Sequence, residues 1–315
     1  MELRAEASCL DWAMMSNNSP YAAALSAIPV RRQEILIDGT RTAYWEYGPQ
    51  DAEVTILLTH GYRGDHHGFE PVIAQLPEVR FISPDLPGFG ESAPFAVKPH
   101  SIEGYAAWLG AFGRALGLES QAILLGHSFG SIVASRAVAD GYSPLALILV
   151  NPISVSGLEG PRRWATRATV GFYRLGGILP EKLGNAFLGS WAIVQGMSMA
   201  LTKTRDRALR RWIHAEHHRY FSAYANRRVV VEGFDASVSH HVGEFASQIT
   251  VPTLLIAAEK DDITPVSAHQ PVADLMADAS LVVLPGVGHL VHYETPHLAA
   301  SAMRAFIAER GGPRR

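Results

Sequence analysis

Six short, uninterrupted apolar runs recur along the chain: VTILLTH, VRFISPD, QAILLGH, LALILVNP, PTLLIAAE and ASLVVLPG. Runs of this length without polar alternation are the pattern of strands buried on both faces. Between them, apolar residues fall at helical spacing around Phe69 to Leu76, Ile102 to Leu116, Ser128 to Ala139, Val266 to Ala277 and Pro296 to Glu309. Strands alternating with helices predict an α/β fold, a mostly parallel sheet with helices on both faces. Upstream, RRQEILIDGTRTAYWEYG carries two more strand-like runs around Asp38-Gly39, a dipeptide suited to the positive φ of a hairpin turn, so the sheet opens antiparallel and reaches eight strands.

One interval breaks the rhythm. Roughly 95 residues separate LALILVNP from PTLLIAAE, and they hold helical patterns such as EKLGNAFLGSWAIVQGMSMAL and DRALRRWIHAEHHRYFSAYA, far more chain than a crossover needs. The expected organisation is a core of residues 32–151 and 248–315, a helical lid of residues 152–247 inserted into it, and an N-terminal extension, residues 1–31. In that extension Ser19 is the expected N-cap of a short helix, with Pro20 at its first position.

Composition changes this picture little. At 315 residues, 48% hydrophobic and 18% charged, the chain is an ordinary globular one, long enough for a substantial core. A net charge of −3 argues against nucleic-acid binding. The N-terminus lacks an unbroken apolar run of signal-peptide length, and no stretch reaches the roughly 20 apolar residues of a membrane span. The expected location is therefore cytoplasmic. The lone Cys9 has no partner for an intrachain disulfide. Charge is uneven, however. Residues 152–247 hold 13 Lys and Arg against 7 Asp and Glu, about +6, which leaves about −9 for the rest. A basic lid is either a solvated surface or one that favours anionic ligands.

The strongest candidate chemistry lies in GHSFGS, residues 126–131. Ser128 sits at the centre of G-x-S-x-G, where an apolar strand runs into a helical pattern, the context in which a serine hydroxyl is pushed out of a sharp turn. A serine needs a base, the base an orienting acid, and the developing oxyanion aimed N–H donors. After TLLIAA comes EKDDITP, with adjacent Asp261 and Asp262; after LVVLP comes GVGHLVHYETP, with His289 and His292. Both loops follow the C-terminal ends of expected strands, where parallel sheets bind ligands. The residues leave two candidates for the acid and two for the base.

Together HGYRG, DLPGFGES, GHSFGS, AAEKDDITP and GVGHLVHYETP, in this order over residues 33 to 310, resemble the α/β-hydrolase superfamily, in particular its lid-bearing serine esterase-like branch. The resemblance implies an acid four residues before a proline, which is Asp261 before Pro265, and a base after the small-residue turn, which is His289. It also places an oxyanion hole at the backbone N–H groups of Tyr62 and Phe129. His60 is expected to organise its loop by hydrogen bonding and is retained as a pocket candidate with the lid aromatics Trp164, Phe172, Trp191 and Trp212. Asp85 and Gly88 are expected to shape a turn near the site.

Rival chemistry is weaker. His214 and His218 stand at i, i+4 but lack H-E-x-x-H and a third ligand, and the glycine turns lack nucleotide-binding spacing. No metal and no cofactor are expected. Ser128 at the elbow, in place of aspartate, separates the chain from the dehalogenases and epoxide hydrolases it otherwise resembles. The expected function is serine hydrolysis of a carboxylic ester or related acyl compound through an acyl-enzyme. The alternatives are carbon-carbon bond hydrolysis of a carboxylate-bearing dienone, or a non-catalytic small-molecule-binding protein on the same fold. The expected partner is a small ester or acyl substrate, anionic if the basic lid faces it. Monomer and homodimer are both left open.

Overall fold

The computed structural model describes residues 19–157 and 163–310. Cys9 lies outside them. The first helix, α1 (Ala22–Leu25), begins two residues later than its sequence cap suggested. Ser19 turns the chain before it, accepting the Tyr21 N–H on Oγ at 3.2 Å and the Ala22 N–H on its carbonyl at 3.1 Å.

Strands β1 (Val30–Ile37) and β2 (Thr40–Tyr47) pair antiparallel across Asp38 and Gly39, at φ 48° and 79°. Two positive φ values in succession give the turn whose twist matches that of a hairpin. The other strands are β3 (Thr55–Thr59), β4 (Arg80–Pro84), β5 (Ile123–His127), β6 (Leu147–Val150), β7 (Thr253–Ala258) and β8 (Ala279–Leu284). The sheet order is β1-β2-β4-β3-β5-β6-β7-β8, with β2 antiparallel to β4 and the remaining pairs parallel.

Alternate residues of the same strands feed two separate cores. Leu57, Ile82, Leu124, Leu149 and Leu255 pack on one face with α3 (Ile102–Ala115) and α4 (Phe129–Ala139). Ile56, Leu58, Ile123, Leu125, Ile148 and Ile256 pack on the other, with α2 (Glu70–Ile73) and the last helix. This explains the uninterrupted apolar runs of β3 to β7, which are buried nearly throughout and where each aliphatic side chain contributes about 1.5–3 kcal/mol; the run that forms β8 lies at the sheet edge and is half-exposed, with Val283 39% exposed.

Five α-helices fill the described part of the interval between β6 and β7. They are α5 (Arg163–Ile178), α6 (Glu181–Leu188), α7 (Trp191–Leu201), α8 (Arg207–Tyr220) and α9 (Arg227–Ser239). The long pattern from Glu181 to Leu201 is two helices, broken at Gly189-Ser190. Asp206 starts α8 by accepting the N–H groups of Ala208 and Leu209, and Asn226 starts α9 by accepting that of Val229. The two ends of the interval meet at a neck, where Val242 N–H donates to Ile153 O at 2.7 Å. Short helices α10 (His269–Ala273) and α11 (Val291–Glu294), then α12 (Pro296–Arg310), complete the chain. No helix among the described residues is long and apolar enough to cross a membrane.

Candidate active site

The C-terminal ends of β5, β6, β7 and β8 lie side by side, and the residues that follow them converge. At the end of β5, Ser128 adopts φ 52° and ψ −118°, a strained conformation for a residue with a Cβ, and α4 starts at the next residue. The flanking glycines are a steric necessity. A Cβ on Gly126 would lie 2.5 Å from Gly130 O, and one on Gly130 would lie 2.1 Å from Thr59 O. Ser128 N–H donates to Val150 O at 3.0 Å, which ties the turn to β6.

His289, in the loop after β8, places Nε2 2.8 Å from Ser128 Oγ and Nδ1 2.8 Å from Asp261 Oδ2. Burial pushes the Asp261 carboxyl up, but His289, the Ile263 N–H and the Asn151 amide outweigh it, and the group is held below the ordinary carboxylate value. An ionised carboxylate can only accept, so His289 carries its proton on Nδ1 and turns a lone pair on Nε2 toward Ser128. The other two candidates are engaged elsewhere. Asp262 pairs with Lys203 Nζ of the helical interval. His292 is buried, stacked on Phe69 and packed edge-on against His127 at 4.2 Å. Burial, then repulsion from His289, pushes His127 down to about 3; burial, then His127, holds His292 well below its usual value. Both are therefore neutral neighbours of the His289 ring.

Phe129 and Tyr62 both border this region. Phe129 is the first residue of α4, where helix geometry supplies no acceptor. Tyr62 belongs to the loop after β3, and the adjacent Gly61 is so close that a Cβ there would lie 3.4 Å from Ser128 Cβ. Among the described residues neither N–H pairs with a backbone carbonyl.

Sequence reasoning missed Asn151. It is fully buried after β6 at φ 44°, and its Nδ2 donates to Asp261 Oδ2 at 3.0 Å. Its signal was an asparagine, a residue tolerant of positive φ, at the end of an apolar strand. Ser131 is buried beneath the elbow. Its Oγ donates to Ser128 O at 2.5 Å and accepts the Ile153 N–H at 3.2 Å, linking the elbow to the neck of the helical interval.

The pocket candidates are scattered. His60 is 2% exposed and uses both ring nitrogens on backbone, Nδ1 donating to Gly61 O and Nε2 accepting the Leu86 N–H, so it holds the loop and has none free for a substrate. Asp85 shapes the next loop by accepting the N–H groups of His66 and Glu91. Trp191 is 68% exposed and stacks on His218, an outward placement that does not line an enclosed pocket. Trp212 packs on Tyr21 and Tyr293, and Phe172 on Tyr173 and Phe187. The side chain of Trp164, in the first turn of α5, lies outside the described residues. His214 and His218 are bonded separately, to Ser198 and Gln195. Asp65, His66 and His67 bring ligand atoms within 4.8 Å of one another, but both Nδ1 atoms are already on carboxylates, those of Asp85 and Asp65.

A sheet of this order, with polar residues gathered at the ends of its parallel strands, defines an α/β enzyme of hydrolase type. The chain belongs to the alpha/beta hydrolase family, whose model matches residues 56–302. It is 24% identical over 279 residues to Lipase 1 of Psychrobacter immobilis, covering 86% of this chain and 82% of the lipase. It is 27% identical over 262 residues to a pimeloyl-[acyl-carrier protein] methyl ester esterase of Neisseria meningitidis, covering 82% of this chain and 94% of the esterase. Among solved structures it resembles a membrane phospholipase A with a TM-score of 0.73 at 20% identity, over 99% of this chain and 96% of that one.

Proposed function

We propose that this hydrolase cleaves carboxylic esters through an acyl-enzyme on Ser128. The observation that carries the reading is the continuous line from Asp261 through His289 to Ser128, two contacts of 2.8 Å each. His289 Nε2 takes the Ser128 proton as Oγ attacks the ester carbonyl carbon. The oxyanion forms between the N–H groups of Tyr62 and Phe129, and the positive end of α4 favours its charge. His289 then gives the proton to the departing alkoxide, and the acyl group stays on Ser128. Water, deprotonated by His289, attacks the acyl carbon; Ser128 recovers its proton and the acid leaves. Asp261 keeps the imidazole in its tautomer and stabilises its cation. The lipase and methyl ester esterase relatives support the carboxylic ester as the bond broken.

In this reading residues 152–247 form a lid. One observation favours an anionic substrate beneath it: residues 152–247 hold 13 Lys and Arg against 7 Asp and Glu. A carboxylate-bearing dienone, cleaved at a carbon-carbon bond, is the second reading.

Ser128→Ala should lower turnover of short p-nitrophenyl esters by at least about 10⁴-fold, with the fold intact. Wild-type rates in the folded variant would refute the mechanism. Failure of a fluorophosphonate to label Ser128 in the native enzyme would favour a binding protein instead.

A further inference from the structure

Arg63 follows Tyr62 directly and is 1% exposed, with its backbone at φ 60°. Its side chain enters the seam between the core and the helical interval. Nε donates to Phe221 O at 2.7 Å, just past the C-terminus of α8. Nη1 donates to Leu188 O, the last residue of α6, at 3.2 Å and to Tyr173 Oη of α5 at 3.4 Å. Tyr224 presents its ring 5.4 Å from the guanidinium carbon. No carboxylate is among these partners. Burying an unpaired cation costs several kcal/mol; here two helix C-termini, each with about half a negative charge on its free carbonyls, stand in for the missing acid.

Tyr62 is anchored in the same direction, its hydroxyl donating to Val230 O of α9 at 2.7 Å. Two consecutive residues thus hold four of the five interval helices. On its other side the loop closes on itself, Gly64 N–H donating to Gly61 O at 3.0 Å. The close packing of Gly61 on His127 and Ser128 leaves it little room to move that way. The Tyr62 N–H is therefore suspended between the elbow and the helices above it.

We propose that Arg63 is a positioning residue through which the seated helical interval aims the oxyanion donor. The inference rests on Tyr62 N–H being that donor. With α6 and α8 in place, their carbonyl ends fix the fork of Arg63, and the Gly61–Tyr62 peptide keeps its N–H turned toward Ser128. When those ends move away, the peptide is released and the hole is left with the Phe129 donor alone. Acylation then requires the interval to be seated, so binding and chemistry are coupled through one side chain that touches neither substrate nor Ser128.

Arg63→Gly tests this cleanly, because glycine adopts a φ of about 60° without strain and the loop backbone is retained. Loss of a single oxyanion donor typically costs about 10²–10³ in kcat. A loosened donor should accordingly lower kcat on a short p-nitrophenyl ester by roughly 10- to 100-fold, with KM changed less than about threefold. Affinity for a trifluoromethyl ketone, whose adduct carries the oxyanion, should fall in step with kcat, and added ethylguanidine should restore part of both. Arg63→Lys, a cation without the fork, should fall between. Should Arg63→Gly not fold, Tyr62→Phe, which keeps the N–H and loses only the anchor to Val230, should show the same selective loss of kcat. A folded Arg63→Gly with wild-type kcat would overturn the proposal, as would a loss of kcat that leaves ketone affinity unchanged. If fluorophosphonate fails to label the wild-type enzyme, the acyl-enzyme reading itself is wrong; if wild type and Arg63→Gly are labelled at equal rates, only the role of Arg63 is.

Discussion

Asn151 offers a quantitative test of how the site holds its charge. Asp261 Oδ2 is shared by His289 Nδ1 at 2.8 Å and Asn151 Nδ2 at 3.0 Å, in a fully buried setting. A hydrogen bond to a charged acceptor contributes about 1.5–3 kcal/mol. Asn151→Ala should therefore lower kcat/KM about 10- to 100-fold if that contact holds the carboxylate while the imidazolium forms. Asn151→Asp is more revealing. It places a second carboxylate near 3 Å from the first, and two unit charges at that separation repel by about 5–6 kcal/mol at an effective dielectric of about 20. One pKa unit corresponds to about 1.4 kcal/mol, so the pair retains a proton at neutral pH and titrates as a unit. The Asp variant should be impaired at pH 7 and recover part of its kcat/KM toward pH 9, whereas the Ala variant should show no such recovery. The assay is kcat/KM for a p-nitrophenyl ester from pH 6 to 9. An Asp variant matching the wild type across that range would show that Asp261 Oδ2 is not the counter-charge of His289.

Three further tests address the scaffold. Gly130→Ala forces a Cβ to within 2.1 Å of Thr59 O and 2.6 Å of His60 O; it should cost about 3 kcal/mol or more and lower Tm by roughly 5 °C, and an unchanged Tm would mean the elbow relaxes freely. Ser131→Ala removes one donor to Ser128 O and the acceptor of the Ile153 N–H; urea unfolding should register a loss of about 1–2 kcal/mol, with kcat reduced only a few-fold. His217, unexposed, is pushed down to about 3 by burial and then by His214 and His218. Its folded value lies below its unfolded one, so its contribution is complete above about pH 6.5 and declines as pH falls toward 3. Between pH 7.5 and 5.5 the wild type should lose about 1.3 kcal/mol more stability than His217→Phe; parallel losses in urea titrations would contradict a neutral buried imidazole.

The central strands β3 to β7 were legible because they are buried on both faces, which leaves mostly apolar residues to write them with; β8 was legible from its apolar run although it is a half-exposed edge strand. The acid and histidine loops were legible because each follows such a strand directly. Helix ends were less so: the apolar spacing from Glu181 to Leu201 runs through the break at Gly189-Ser190, and α1 starts where Ser19 finishes turning the chain rather than where it caps. Asn151 and Arg63 were invisible for a different reason. Their partners lie 110 and 158 residues away, at Asp261 and Phe221, and nothing local marks an asparagine as an amide donor to a distant carboxylate. Trp191 shows the converse, a pocket candidate by residue type whose ring faces outward.

The hydrogen bond from Val242 N–H to Ile153 O makes the helical interval a module that leaves and re-enters the sheet at a single point. Strands β6 and β7 pair below that point, in register from Leu147 with Thr253 to Val150 with Ile256. A helical segment grafted at the neck would have to replace what the interval now gives the core, Lys203 to Asp262, Ala223 O to the Gly90 N–H and the Ala225 N–H to Gly88 O. It would also have to bring two carbonyl ends to Arg63, and these contacts, more than the length of the segment, set which modules the scaffold can exchange.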